Sequence, residues 1–169
     1  MHMNTVRPVA MPPFWDMGQK SSARQGAQVA ALSGCTIPSP AQFHALRASY
    51  RQTGGVARGD DLARLLEDRQ RGGHVSLAKV LVACEVFGFR WREEIWVPMF
   101  QFELRDLSIK FVHRPVLAEL APVFDNWSLA VWFTQPNAWL CDRSPLDVLE
   151  SNLSAVLDAA RADRFIANG

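Results

Sequence analysis

Cysteine is scarce in this sequence and is not arranged in pairs. The three cysteines, Cys35, Cys84 and Cys141, are an odd number, and no two of them form a Cys-x-x-Cys pair. This pattern indicates neither a disulfide framework nor a zinc site. A chain without either is typical of a reducing compartment, so we expect a cytoplasmic protein.

The sequence also lacks an apolar run long enough to span a membrane. Its longest apolar stretch, residues 80 to 89, is interrupted by Glu85, whereas a spanning helix needs roughly 20 apolar residues. The first residues do not contain the apolar centre of a signal peptide. We therefore expect no membrane partner.

A strong overall charge is missing as well. The net charge of +1 gives no general attraction to DNA or to anionic lipid. Charge is nevertheless unevenly placed, because residues 1 to 60 have six basic and two acidic side chains, and residues 126 to 169 have three and five. Local clusters must then decide whether nucleic acid binds.

The patterns of common catalytic sites are absent. The four histidines, His2, His44, His74 and His113, have no metal-binding spacing such as His-x-x-x-His. The chain has neither a Gly-x-Ser-x-Gly nucleophile motif nor a glycine-rich phosphate loop, and no cysteine stands beside a base. We predict that the protein is not an enzyme and uses no cofactor or metal ion.

What the sequence does have is a high apolar content. Nonpolar residues make up 49% of its 169 residues, with six tryptophans and ten phenylalanines. This composition is typical of a globular protein with a surface suited to binding a partner. The length favours two packed modules that share a surface.

Residues 1 to 40 are predicted to form a flexible proline-rich arm. Five of the ten prolines lie there, together with Gly18, Gly26 and Gly34. Within the arm, four large apolar side chains fall among residues 11 to 17. They favour docking, either onto the protein's own body or onto a neighbouring subunit.

Residues 41 to 112 are predicted to form a helix-turn-helix-like module. Apolar residues at helical spacing, separated by two Gly-Gly pairs, indicate three helices, with Asp60 and Ser76 as caps of the second and third. The expected inward-facing residues are Phe43, Leu46 and Tyr50 in the first helix, Leu62, Leu65 and Leu66 in the second, and Leu77, Val80, Leu81 and Cys84 in the third.

A β-hairpin follows, where a winged helix-turn-helix has its wing. Residues 89 to 92 alternate between apolar and basic side chains, Glu93-Glu94 is the expected turn, and residues 95 to 102 are the expected returning strand. Pro98 cannot donate a hydrogen bond to a neighbouring strand. We therefore expect the second strand to be an edge or to carry a bulge.

Four helices are predicted after the hairpin, over residues 113 to 122, 126 to 134, 144 to 149 and 152 to 166. Ser144 followed by Pro145 is typical of a helix start, and Pro136-Asn137 of a structural corner. Two sets of residues are expected to be buried, one in the last helix and the other the tryptophans of this region. They are Leu153, Val156, Leu157 and Ala160, and Trp127, Trp132 and Trp139.

The same region carries four motifs in order, which are Trp-Ser-Leu-Ala-Val-Trp-Phe, Pro-Asn-Ala-Trp-Leu, Arg-Ser-Pro-Leu-Asp-Val-Leu and Ala-Val-Leu-Asp-Ala-Ala-Arg. With them, residues 113 to 169 resemble the toxin-binding domain of Xre/MbcA/ParS-type bacterial antitoxins. The sequence departs from the family at Cys141-Asp142, where glycine is usual, and at Ser151-Asn152, where a glycine or aspartate turn is usual. The resemblance extends less specifically over residues 54 to 102.

The resemblance implies a fold that is mainly α with a small β-hairpin. It consists of a degenerate winged helix-turn-helix-like module over residues 41 to 112 and an all-α toxin-binding domain over residues 113 to 169. The implied function is that of a type II antitoxin, which binds a RES-type toxin and sterically blocks its NAD-degrading site. A homodimer is also implied.

In the family, the terminal helix and tail lie at the toxin surface. The matching residues here, Arg161, Arg164 and Phe165, are the candidate toxin contacts, and arginine and aromatic side chains are common interface anchors. The alternative is structural. In that interpretation Arg161 pairs with Asp158 or with its own helix end, and Phe165 caps the core.

DNA binding is a second hypothesis, either for autoregulation by an antitoxin or for a transcriptional regulator without a toxin. Ser76 and Lys79 are the only side chains of the third helix suited to reading bases, and Arg90 and Arg92 on the wing are suited to phosphates. Because the third helix has so few base-reading side chains, the alternative is a degenerate module that serves folding or dimerisation instead of DNA recognition. A third hypothesis is an oligomeric interaction protein. It is based on the large apolar side chains among residues 11 to 17 of the arm.

Overall fold

The computed structural model describes residues 38 to 69 and 76 to 169. Most of the predicted arm, including its apolar residues 11 to 17, lies outside the described residues. The predicted Gly72-Gly73 turn lies outside them as well.

The described chain is mainly helical and has one small antiparallel sheet of three strands. This confirms the predicted fold class at its coarse level. The helices are α1 (Pro40–Ser49), α2 (Gly59–Arg69), α3 (Leu77–Val82), α4 (Arg114–Leu120), α5 (Asn126–Thr134), α6 (Pro145–Val148) and α7 (Leu153–Ala167). The strands are β1 (Val56–Arg58), β2 (Phe89–Trp91) and β3 (Glu94–Pro98), and single 3-10 turns cover Arg51–Thr53, Met99–Gln101 and Ala138–Leu140.

Helix α1 begins at a complete capping box. The Ser39 side chain accepts from the Gln42 N–H at 3.2 Å, and the Gln42 side chain accepts from the Ser39 N–H at 2.8 Å. Phe43, Leu46 and Tyr50 are buried, as their spacing predicts.

Helices α2 and α3 pack together, and two predictions for them are wrong. Leu62 and Leu66 are buried, but Leu65 is 48% exposed because it lies off the inward face. Cys84 is exposed and lies beyond the end of α3, in left-handed backbone with φ of 53°. Hydrogen bonds from Cys84 N–H to Leu81 O and from Glu85 N–H to Val80 O close the helix there, in a Schellman arrangement.

Ser76 occupies the predicted cap position of α3, but its side chain makes no capping hydrogen bond. Because α3 ends at Val82, the helix has six residues, and the stretch from 83 to 85 that the sequence assigns to it is a turn. The predicted recognition helix is therefore shorter than expected.

The sheet has the strand order β1-β3-β2, so β3 is central, and the prediction of an edge strand or a bulge is wrong. Met99 N–H donates to Gly55 O, so these two residues form a hydrogen-bonded pair between β3 and β1. Bonded and non-bonded pairs alternate along an antiparallel ladder. The next pair, Pro98 opposite Val56, is therefore a non-bonded one. The nitrogen of Pro98 therefore points away from β1, toward residue 87 just before β2, where the side chain of Gln101 bonds the Phe87 backbone instead. The turn lies one residue earlier than expected, because Trp91 pairs with Glu94.

The returning strand ends at Pro98, not at residue 102 as predicted. The next three residues form a 3-10 turn that buries Gln101 completely. Its side chain accepts from Phe87 N–H at 2.7 Å and donates to Phe87 O at 2.9 Å and to Pro98 O at 3.0 Å. These bonds hold the segment before β2 against the end of β3.

The four predicted C-terminal helices are confirmed, with ends within two residues of expectation. Asp125, Ser144 and Asn152 each accept a backbone N–H from the first turn of the helix that follows. Helix α7 buries Val156, Ala159 and Ala160, and Leu153 and Leu157 pack partly buried against the same core.

Two apolar cores lie on opposite faces of the sheet. The larger contains side chains of α1, of the sheet and of α4 to α7, and the smaller contains those of α2, α3 and the other sheet face. The larger core thus takes residues from both sides of position 113, where the sequence predicts a domain boundary. No helix in the described ranges is long and apolar enough to cross a membrane.

Candidate functional site

The C-terminal end of α7 presents two arginines that share one carboxylate. Arg161 Nε donates to Glu119 Oε1 at 3.1 Å, and Arg164 Nη1 donates to Glu119 Oε2 at 2.9 Å. Arg161 Nη1 also reaches Asp158 Oδ1 at 3.3 Å, as the structural interpretation predicts. Glu119 belongs to α4, so these bonds join α7 to α4.

The pairing sets the charge of this cluster. Hydrogen bonds from Arg161 and Arg164 lower the pKa of Glu119, and the pKa of Arg161 is raised by the same contact with Glu119. Both shifts favour the charged forms of Glu119 and Arg161. Each guanidinium has five N–H donors, so both arginines retain donors for a partner.

Large apolar side chains lie exposed around the same helix end. Phe165 is 80% exposed and Ile166 is 38% exposed. The interpretation in which Phe165 caps the core is therefore wrong. Trp139, predicted to be buried, is 57% exposed on the 3-10 turn that packs against α7.

Trp139 faces outward because its neighbour Leu140 takes the inward position of the short turn. The backbone then reverses through Cys141 and Asp142, both with positive φ, at the point where the family usually has glycine. Trp132 is buried as predicted, and Trp127 is partly buried against Phe89.

One carboxylate attaches α7 to the predicted Pro136-Asn137 corner. Asp163 Oδ2 accepts from Trp132 Nε1 and from Asn137 Nδ2, both at 2.8 Å, and Asn137 Oδ1 accepts from Trp139 N–H. Burial raises the pKa of Asp163, and the two donors partly offset this effect. The corner is confirmed as structural, and it positions Trp139 beside the helix.

We call this set of exposed residues the terminal surface. It consists of Arg161, Arg164, Phe165 and Ile166 at the end of α7. The sequence indicates three of them through the family resemblance. The sequence does not distinguish Trp139 from the buried tryptophans, because the spacing of seven residues between Trp132 and Trp139 also fits a core position.

The four residues considered for DNA do not form one cluster. Lys79 is exposed on α3, and Ser76 stands half-buried before it. Arg90, exposed on β2, lines a cavity of about 300 Å³ with the end of α3. The guanidinium of Arg92 lies 4.4 Å from the ring centre of Trp91, whose side chain projects to the face of the sheet opposite Arg90.

The structure also shows a basic groove that is not among the sites predicted from the sequence. It is lined by His44, Arg47 and Arg51, on the outer face of α1 and just beyond its end. The absence of any acidic residue between positions 38 and 58 is the sequence signal that would have indicated it.

No group of three or more His, Cys, Asp or Glu residues suited to a metal ion occurs within residues 38 to 69 and 76 to 169. No family model matches the chain, and neither a curated protein nor a solved structure matches it. The antitoxin resemblance therefore depends on the residues of the four motifs.

Proposed function

We propose that this protein is the antitoxin of a bacterial type II toxin–antitoxin pair, and that its terminal surface binds a RES-type toxin. The complex blocks the NAD-degrading site of the toxin by covering it. The antitoxin itself is not an enzyme and uses no cofactor. The observation that carries the proposal is the exposure of Phe165 and Ile166 on the last turns of α7, which also carry the two positioned arginines.

Such a combination of side chains suits a protein interface. Aromatic residues and arginines provide most of the energy in protein interfaces, where a few anchors each contribute about 2 kcal/mol or more. Phe165 is 80% exposed, so most of its apolar side chain contacts water in the free chain. Burial of this surface against a partner would lower the free energy of the complex.

The arginines are held before a partner arrives. Glu119 restrains both side chains, which lowers the entropy lost on binding. Glu119 and Asp158 together balance the charge of the two guanidinium groups, but these bonds use only some of the N–H donors of the arginines. The surface therefore favours a toxin with carboxylates or backbone carbonyls at the matching position.

In this proposal, residues 41 to 112 form a degenerate winged helix-turn-helix-like module that completes the fold and supports a homodimer. The six residues of α3, with one lysine among them, support this role over base recognition.

The proposal is tested by purifying the N-terminally tagged chain from its native cell extract at moderate salt. We expect a stoichiometric small protein that consumes NAD once it is freed, and that stops consuming NAD when the chain is added back. Recovery of the chain alone, or of a partner without this activity, would overturn the proposal.

The binding surface is tested with matched variants. Arg161→Glu combined with Arg164→Glu is expected to weaken the complex at least 30-fold by isothermal titration calorimetry. Glu119→Gln keeps both arginines and is expected to change affinity much less. Circular dichroism melting shows whether each variant is folded, and an affinity of the double variant equal to wild type would exclude these arginines from the interface.

A further inference from the structure

A basic groove lies between α1 and the turn that leads into β1. His44 and Arg47 on α1 and Arg51 just beyond its end line one side, and residues 54 to 56 line the other. The groove has a volume of about 560 Å³ and is open to solvent. It is separate from the terminal surface on α7.

The charge of the two arginines is not neutralised within the described ranges. No described carboxylate lies within 4.0 Å of Arg47 or Arg51. Five other arginines of the described chain each pair with a carboxylate, and they are Arg58, Arg64, Arg114, Arg161 and Arg164. The groove is therefore a site of uncompensated positive charge, which favours an anionic ligand.

Arg47 is held in place by aromatic rings. Its guanidinium lies 5.3 Å from the ring centre of Trp96 and 5.7 Å from that of Phe43. Phe43 stacks on Trp91 at 3.8 Å, and Arg92 covers Trp91 at 4.4 Å. The stack thus connects the groove to a further guanidinium, that of Arg92, which is followed in the chain by Glu93 and by Glu94, the partner of Arg58.

The opposite wall lets a ligand approach the backbone. A side chain at Gly55 would meet no atom within 4 Å, so the space beside this residue is open. By the alternation of the antiparallel ladder, the Val56 N–H points away from β3, on the unpaired edge of β1. It is a hydrogen-bond donor of the kind that phosphate oxygens accept.

We propose that this groove binds the phosphate backbone of a nucleic acid without reading its sequence. Arg47 on α1 and Arg51 at the start of the following 3-10 turn both line the groove, so two guanidinium groups are available to phosphates of one strand. The open shape leaves a long polymer free to pass through, and the aromatic stack extends the contact to Arg92. This inference goes beyond the proposed function, since it uses neither the terminal surface nor α3.

The test measures fluorescence anisotropy of a labelled 20-base-pair duplex of mixed sequence, and of one of its strands, with the full chain at low salt. We expect binding to at least one probe and an affinity that falls steeply as salt rises. Arg47→Ala combined with Arg51→Ala is expected to weaken binding at least 10-fold. For the duplex, the slope of log K against log salt should fall by about 2.

Two further variants show whether the groove itself holds the nucleic acid. Lys79→Ala combined with Arg90→Ala removes the same charge elsewhere and should leave binding within about 2-fold of wild type. Because Arg47 packs on Trp96, Arg51→Glu alone provides a variant that leaves this packing intact, and it should also weaken binding.

Three results would overturn the inference. The first is no binding of either probe at low salt, and the second is wild-type affinity in both groove variants. The third is competition by inorganic phosphate well beyond that of chloride at equal ionic strength, which would indicate a site for a free anion. Binding of the purified toxin by the groove variants would be unaffected in each case, so failure here is distinguishable from failure of the proposed function.

Discussion

At the scale of single residues, Asp163 joins three elements through one oxygen atom. Its Oδ2 accepts from Trp132 on α5 and from Asn137 at the corner, while its backbone belongs to α7. Both donors belong to buried residues, so without the carboxylate they would lose a partner that water cannot readily replace.

Asp163→Ala is therefore expected to lower the free energy of unfolding by about 2 to 4 kcal/mol, because it leaves two donors unpaired. Asp158→Ala, on the same helix, removes only an exposed ion pair and should cost less than about 1 kcal/mol. Urea unfolding, monitored by circular dichroism, measures the free energy of unfolding of both variants. Equal losses in the two variants would contradict the role given to Asp163.

His113 is a second residue whose burial has a measurable consequence. It is fully buried, and its Nε2 lies 3.0 Å from Glu85 O, the acceptor for its proton. Burial lowers its pKa from 6.5 to about 4, and nearby Arg114 acts in the same direction. The folded chain thus takes up the second imidazole proton, at the buried Nδ1, less readily than the unfolded chain does.

Stability should therefore be highest above pH 6.5 and should fall as the pH drops toward 4, because only the unfolded state gains a proton in that range. Between pH 7 and 5 the loss from this group is about 2 kcal/mol. His113→Gln removes it, so the variant should lose less stability than wild type over this interval in urea unfolding. An identical pH dependence would show that His113 titrates normally.

Local rules predict several single residues correctly, although Ser76 makes no capping hydrogen bond. Ser144 and Pro136-Asn137 form the cap and corner that their residue types predict, because the partners are a few positions away. Trp139 and Gln101 escape such rules, since their exposure and burial depend on distant parts of the chain. The pairing of Arg161 with Glu119 cannot be predicted from the sequence for the same reason, because the two residues lie on different helices.

At the scale of elements, helical spacing predicts the bounds of α7 better than those of α3. Helix α7 covers fifteen residues, and its pattern repeats over several turns, whereas α3 has six and its apolar run continues past its end. Strand β1 has three residues, too few to show an alternating pattern, and it exists because β3 offers an edge. The central position of β3 follows from that pairing.

The turn before β1 provides an element-scale prediction. Gly54 has φ of 93°, and a Cβ there would lie 2.9 Å from Leu104 Cδ2 and 3.0 Å from Met99 Cβ. Gly55 also has positive φ, at 78°, but a Cβ would meet nothing within 4 Å. Gly54→Ala should therefore cost about 2 to 4 kcal/mol in urea unfolding, and Gly55→Ala about 1 kcal/mol. A larger loss for Gly55→Ala would contradict this assignment of the turn.

At the scale of the whole molecule, α1 and the sheet complete the core of the C-terminal helices. The Tyr50 hydroxyl donates to Ala130 O of α5 at 2.7 Å, and Phe100 and Phe87 pack against Phe133. Residues 113 to 169 carry the antitoxin motifs, but their buried surface is shared with residues that come before them.

A fragment of residues 113 to 169 should therefore fail to fold alone, because its inner face would be exposed to water where α1 and the sheet now cover it. Residues 38 to 169 should unfold cooperatively in urea and give dispersed amide signals by NMR, whereas the fragment should do neither. Tyr50→Phe in the longer chain is the control, since losing one buried hydrogen bond costs about 1 to 2 kcal/mol and leaves the core in place. Cooperative unfolding of the short fragment would show that the C-terminal helices form an independent domain, and that the shared core adds stability without being required for the fold.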